Sequence, residues 1–309
     1  MISRRLFLLN AATCVPSLTL AQAFSNRASS IKARDFPERL DLSQLMTPVK
    51  KQGDRDTCAY FSTVAILESL LKQRLGRQVV LSEEFLIHNA ERKHKRVESE
   101  TTAIMDTLNA AKVAGCVTEG KWPYRPDLFV KGQVCEKKAA AHLNLTDCFV
   151  GEDPPAALYK DAAKLRLTRA SQYHRIGGAI DYGKSYAAAP QYVNLLMTTM
   201  ANSKQALLAI ITLPNSNEGW RDDGEVTMPS SMLRMNDREL KIELERKKSH
   251  IVVFTGFDRM LQMFYFKNSW GTDWGDKGYG RISFDVLTIP YFRDAFFFKG
   301  GFISVPQQL

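Results

Sequence analysis

The chain has 309 residues, 45% of them hydrophobic and 24% charged, with a formal charge of +9. That composition excludes a disordered chain and leaves room for one large core or two packed halves. Lys and Arg are spread among Asp and Glu with no nucleic-acid-binding motif, so the charge reads as a solvated surface and no nucleic acid partner is expected.

The N-terminus has the three-part layout of a secretory signal. Met1-Ile-Ser-Arg-Arg5 is a basic start, Leu6 to Leu20 is mostly apolar, and Ala21-Gln22-Ala23 is a small-x-small cleavage site. The apolar run carries Asn10 and, at about 15 residues, is too short to span a bilayer comfortably. Ser3-Arg4-Arg5-Leu6-Phe7-Leu8 resembles the twin-arginine export signal of bacteria, a receptor-read address. The alternative is an uncleaved anchor or a general secretory signal. The expected organisation is an export signal over 1–23, a short leader over 24–40, and one domain over 41–309. Once the signal is removed, no stable membrane insertion is expected, and the protein works in the periplasm or outside the cell. Cys14 leaves with the signal. If Cys58 must stay a thiol, at most one disulfide forms among Cys116, Cys135 and Cys148, and the pairing stays open.

Asp41 to Lys51 looks extended around Pro48. From Cys58 to Leu71, apolar residues at Phe61, Val64, Ala65, Leu70 and Leu71 suit a helix with one buried face, Leu67 lying off the stripe. Asp56 and Thr57 stand where they can cap its first turn. Ser82-Glu83-Glu84 starts a second helix with acids at the positive end of its dipole, and Thr102 to Ala114 a third that Gly115 stops. Tyr192 to Met200 reads as helix and Ala206 to Leu213 as a buried strand. Asn215 to Lys248 is polar without periodicity. Ile251–Phe257 and Met263–Lys267 form a hairpin around Asp258-Arg259. Helices first and strands later give an α+β protein with two unlike halves.

A lone cysteine says little, but Cys58 stands at a helix N-terminus, where backbone N–H groups stabilise the nucleophilic thiolate. Acyl transfer also needs a base, an orienter for the base, and donors for the oxyanion. His250 opens one strand of the hairpin and Asn268 follows the other, so an antiparallel pairing makes them neighbours. Gln52, six residues before Cys58, carries an amide suited to the oxyanion, with the Cys58 N–H as second donor.

Four motifs carry a resemblance to the papain family of cysteine peptidases. Pro48-Val-Lys-Lys-Gln52-Gly53 with Cys58-Ala-Tyr-Phe61-Ser62 resembles its active-site opening, and Leu81-Ser82-Glu83-Glu84 its following helix. Lys267-Asn268-Ser269-Trp270-Gly271-Thr-Asp-Trp274-Gly275-Asp-Lys-Gly278-Tyr279 is similar to its asparagine motif. Gly115-Cys116-Val-Thr-Glu119-Gly-Lys-Trp122-Pro123-Tyr124 looks more like the bacterial branch than the plant or lysosomal one. The resemblance implies an α+β papain-like two-subdomain fold: a helical half, a β-barrel-like half, and the active-site cleft between them. It implies Cys58 as nucleophile, His250 as base, Asn268 as orienter, Gln52 as oxyanion donor, and Trp270 shielding the His250–Asn268 bond beside the substrate. A peptide or protein substrate, no cofactor, no metal and a monomer follow.

The chain also departs from the family. Arg55-Asp56-Thr57 and Ala59 replace Cys-Gly-Ser and Trp around the nucleophile, so Arg55 stands where a cysteine normally bridges to the substrate loop. Thr101 and Thr102 fall where that loop's paired glycines belong, as substrate-binding candidates. The interval from Cys58 to His250 is long, with insertions expected near 127–169 and 215–248, one of which would lie over the cleft. Competing readings are a catalytically impaired papain-fold binding protein and a hydrolase of another amide, such as a cell-wall peptide.

Overall fold

The computed structural model describes residues 37–91, 100–126, 153–176, 189–212, 219–236, 238–239, 242, 249–287 and 293–305. The chain divides into two units, residues 1–36 and 37–309, and every described residue belongs to the second. The expected export signal, most of the leader, Cys135 and Cys148 therefore lie outside the described residues.

The helical side is built on α1 (Cys58–Leu75) with α2 (Glu83–Glu91) and α3 (Glu100–Val113) packed on it. The one-sided stripe expected of α1 is not what folds: every residue from Cys58 to Ser69 is buried. The reason is position, since α1 also packs on the sheet and so has neighbours on all sides. Leu67, off the stripe, is fully buried. The helix ends at Gly76 in the left-handed region (φ 68), which donates to the Lys72 carbonyl. The Thr57 side chain makes no capping bond, because its hydroxyl lies 2.8 Å from the Tyr124 hydroxyl. α3 stops before Gly115, at φ +91, where an added Cβ would sit 1.9 Å from the Ala162 carbonyl oxygen. Only glycine lets α4 (Ala156–Ala162) approach that closely.

The other side is one sheet, of eight strands among the described residues: β1 (Arg39–Asp41), β2 (Gln172–Arg175), β3 (Leu207–Thr212), β4 (Glu225–Val226), β5 (Ser249–Asp258), β6 (Met263–Lys267), β7 (Tyr279–Ser283) and β8 (Arg293–Lys299). The order is β2-β8-β3-β5-β6-β7-β4, with β1 also paired to β5. All pairings are antiparallel except β4 with β7. The expected helix around 192–200 is α5 (Ala189–Ser203), and the expected buried strand is β3. A single turn, α6 (Phe284–Leu287), follows β7. Leu67 and Leu71 of α1, Leu86 of α2, Leu108 of α3 and Leu208, Ile251, Val253 and Phe298 of the sheet share one core. Among the described residues no helix is long and apolar enough to cross a membrane.

Candidate active site

Cys58 is the first residue of α1, buried at 8% exposure. One turn on, the Ser62 hydroxyl donates to the Ile251 carbonyl (2.9 Å). Residues four apart share a helix face, so the face that carries Cys58 lies on the start of β5, beside His250. Thr57 closes the turn with its carbonyl, which accepts from the Tyr60 and Phe61 amides.

The hairpin register places the second group. Val253 pairs with Lys267, so Asn268 continues past the ladder toward the position of His250. The His250 Nε2–Asn268 Oδ1 distance is 2.7 Å. Asn268 Oδ1 also accepts the Ser269 N–H at 2.8 Å, which fixes which end of the amide faces the ring. An amide oxygen only accepts, so the ring proton sits on Nε2 and Nδ1 keeps its lone pair. The Asn268 main-chain N–H donates to the Gly278 carbonyl (3.0 Å). Gly278 has φ +87, and a Cβ there would strike Val49 at 2.4 Å.

Aromatic rings surround this pair. The Trp270 ring lies 4.6 Å from the imidazole, tilted 31°, and the Trp220 ring 5.4 Å away, edge-on. Trp274 packs against both tryptophans. Burial pushes the His250 imidazole down to about 4, only partly opposed by its bond to Asn268.

Gln52 is tied to both sides. Its amide N–H donates to the Ser269 carbonyl (2.8 Å), and the Ser269 hydroxyl donates to Gln52 Oε1 (2.6 Å). Gln52 Nε2 donates to the Arg55 carbonyl (2.8 Å). One of the two Nε2 protons is used there and the other is left for a ligand.

Beneath the site lies a buried ionic cluster. Lys50 Nζ bonds both oxygens of Glu83 at 2.8 Å and lies 3.0 Å from Glu68. Glu68 is further held by the Leu81 amide (2.7 Å) and the Thr47 hydroxyl. Lys267 Nζ donates to the Thr47 and Pro48 carbonyls at 3.0 and 3.1 Å. A cavity of about 20 Å³, room for a single water, is lined by Lys50, Ser62, Glu68, Glu83, Lys267 and Asn268. Burial opposes the Lys50 ammonium, but Glu83 and Glu68 more than offset it and raise its pKa. Burial lowers the Lys267 ammonium to about 8. The acids expected to serve the α2 dipole are thus taken up by cations: Glu83 by Lys50, Glu84 by Arg55.

The structure therefore joins Gln52, His250, Asn268 and Trp270 through bonds and ring contacts and sets Cys58 on the adjoining helix face. Thr101 and Thr102 fall in the first turns of α3, and their side chains lie outside the described ones. Cys116 is a buried thiol, pushed up to about 12 by burial, and among the described residues no disulfide involves it. Among the described residues no cluster of His, Cys, Asp or Glu is arranged to hold a metal ion. Sequence reasoning missed Trp220, which sits in a polar stretch without periodicity. It also missed the ionic cluster, whose signal was Glu68, a charge in the middle of an apolar helix.

A family model described as "Papain family cysteine protease" matches residues 36–161 and 238–288. Chymomexicain of Jacaratia mexicana is 26% identical over 249 residues, 80% of this chain and 88% of that protein. Xylellain, a cysteine protease from Xylella fastidiosa, superposes with a TM-score of 0.61 at 17% identity, covering 88% of this chain and 87% of that one. The Carica candamarcensis cysteine protease CMS1MS2 superposes with a TM-score of 0.51 at 19% identity, covering 86% and 99%.

Proposed function

Since the chain belongs to the papain family of cysteine proteases and is a peptidase by that membership, we propose that it hydrolyses peptide bonds through a Cys58 thiolate and acts outside the cytoplasm. The observation that carries the mechanism is the 2.7 Å bond between His250 and Asn268, enclosed by Trp270 and Trp220. That bond leaves Nδ1 free to take the Cys58 proton. A thiolate beside the ring would raise the imidazole from about 4, because an opposite charge favours the protonated form.

In the first half-reaction the Cys58 thiolate adds to the scissile carbonyl carbon. Gln52 Nε2–H and the Cys58 N–H receive the oxyanion. Imidazolium at His250 gives its proton to the leaving nitrogen as the C–N bond breaks, and the thioester remains. In the second, His250 takes a proton from water, hydroxide adds to the thioester, and the acid leaves with the thiol restored. Asn268 keeps the ring in one orientation and tautomer throughout.

The export reading rests on the sequence of residues 1–23, and the bacterial reading on that signal and on the Gly115–Tyr124 motif, with a Xylella fastidiosa protease among the fold relatives. In this reading residues 41–309 form one peptidase domain that works as a monomer. The test is the intact mass of residues 24–309 after exposure to an epoxysuccinyl inhibitor, alongside peptide turnover. One adduct, lost in Cys58→Ala together with turnover, supports the mechanism. Turnover that survives in Cys58→Ala overturns it.

A further inference from the structure

Arg55 stands three residues before the nucleophile, and its whole side chain is buried, at 0% exposure. Nη1 lies 2.5 Å from Glu84 Oε2 and donates to the Arg125 carbonyl at 2.8 Å. The Arg125 amide donates back to the same Glu84 oxygen (3.2 Å). The guanidinium carbon lies 4.7 Å from the centre of the Tyr124 ring. Tyr124 in turn donates from its hydroxyl to the Gln52 carbonyl (2.8 Å) and meets the Thr57 hydroxyl at 2.8 Å.

The main chain of the same arginine faces the reacting groups. Its carbonyl accepts from Gln52 Nε2 and from the Thr57 N–H, both at 2.8 Å. Arg55 therefore aims the Gln52 amide through its backbone while its side chain anchors that backbone to α2 and to the 119–126 segment. Tyr124 holds the same loop at Gln52 and at Thr57, the residue whose neighbour's N–H is the other oxyanion donor.

Stability alone does not account for this arginine. Nε and Nη2 are buried with no hydrogen-bond partner among the described residues, and an unpartnered buried charge donor is unfavourable. A pair of apolar residues would fill the space without that cost. Both bonds come from Nη1 while the guanidinium lies over the Tyr124 ring, and that combination is what an apolar pair, or a lysine, does not reproduce.

Resting on the peptidase mechanism above, we propose that Arg55 is a positioning residue for the oxyanion donors, clamped by Glu84 and Tyr124. It acts through the 52–57 loop and touches neither substrate nor thiolate. The clamp is non-covalent, so the loop keeps its shape in reducing and oxidising surroundings alike.

The test compares Arg55→Lys, Tyr124→Phe and the double variant Arg55→Leu with Glu84→Leu, using Gln52→Ala as the reference. Two rates are read: kcat on a peptide substrate, which needs the oxyanion donors, and alkylation by iodoacetamide, which needs only the thiolate. The expected result is a kcat lowered roughly 10- to 100-fold in all three, with KM and the alkylation rate within about twofold of wild type. The double variant keeps the fold through apolar packing, so its loss of kcat would not reflect unfolding; a thermal melt checks this. A folded double variant with wild-type kcat overturns the proposal, as does an equal fall in alkylation. If Gln52→Ala itself keeps wild-type kcat, the oxyanion assignment fails and the proposal with it. If Gln52→Ala loses activity while the Arg55 and Tyr124 variants do not, only the proposal fails.

Discussion

The two sides of the site are held by different physics. On the helical side, α1 and the 50–57 loop rest on buried ions, with Lys50 between Glu68 and Glu83 and Arg55 on Glu84. On the sheet side, His250 and Asn268 are placed by strand register and enclosed by the rings of Trp220, Trp270 and Trp274. The first is sensitive to removal of one partner, because a buried charge left alone is strongly unfavourable. The second tolerates the loss of polar atoms better, since apolar packing does not depend on pairing. The contrast teaches that the two sides fail differently: breaking the Lys50 cluster should loosen the fold, while sheet-side substitutions should slow chemistry in a fold that stays largely intact.

The largest expected effect lies where the sides meet. Cys58→Ala should lower kcat by about 10⁴-fold or more, measured against an active-site-titrated wild type, with a thermal midpoint near that of wild type. Next is Glu83→Ala, which takes one carboxylate from Lys50 and leaves it Glu68 at 3.0 Å. It should destabilise the protein by roughly 2–3 kcal/mol, read from a urea unfolding curve. A loss below about 1 kcal/mol would show that the cluster does not hold the helical side.

Asn268→Ala tests the other side. Removing the amide takes the acceptor from His250 Nε2 and from the Ser269 N–H, while Nδ2 has no partner among the described residues to lose, so the cost to stability should be about 1–2 kcal/mol. kcat should fall by about 10²-fold, because the imidazole loses its fixed tautomer. A large stability loss with unchanged kcat would invert the comparison.

The pH dependence sharpens it further. In a Cys58→Ala background, where no thiolate stands beside the ring, His250 has a folded pKa of about 4 against about 6.5 unfolded. The unfolded chain therefore binds the extra proton first as pH falls, and stability drops between about pH 6.5 and 4, with no effect above that window. Relative to Cys58→Ala with His250→Gln, Cys58→Ala alone should lose roughly 3 kcal/mol between pH 7.5 and 4. The smallest effect is expected for Trp220→Ala in the same Cys58→Ala background, which opens the ring to water and should move the His250 titration up by about one unit toward 6.5, followed by NMR.

Much of this was legible in the chain. Cys58 ahead of an apolar stretch, Gln52 six residues earlier, and the hairpin that carries His250 and Asn268 are local patterns, and local backbone physics produces α1, β5 and β6 from them. The stripe on α1 misled because periodicity registers one partner, while α1 is packed on every side. The Thr57 cap failed because Tyr124, 67 residues away, takes its hydroxyl. Trp220 carried no signal, since only the fold that brings β4 beside β7 sets its ring against His250.

By itself, the sequence determined the residue types of the chemistry, their order, and the family to which they belong, because helix starts, strand alternation and turn glycines act over a few residues. Only the tertiary structure decided which charges pair beneath the site, that Arg55 spans to Glu84 and Tyr124, and that His250 is walled by a tryptophan 30 residues before it in the chain. Those contacts are long-range. Their energies depend on burial and on distances of a few ångströms, which no local pattern encodes.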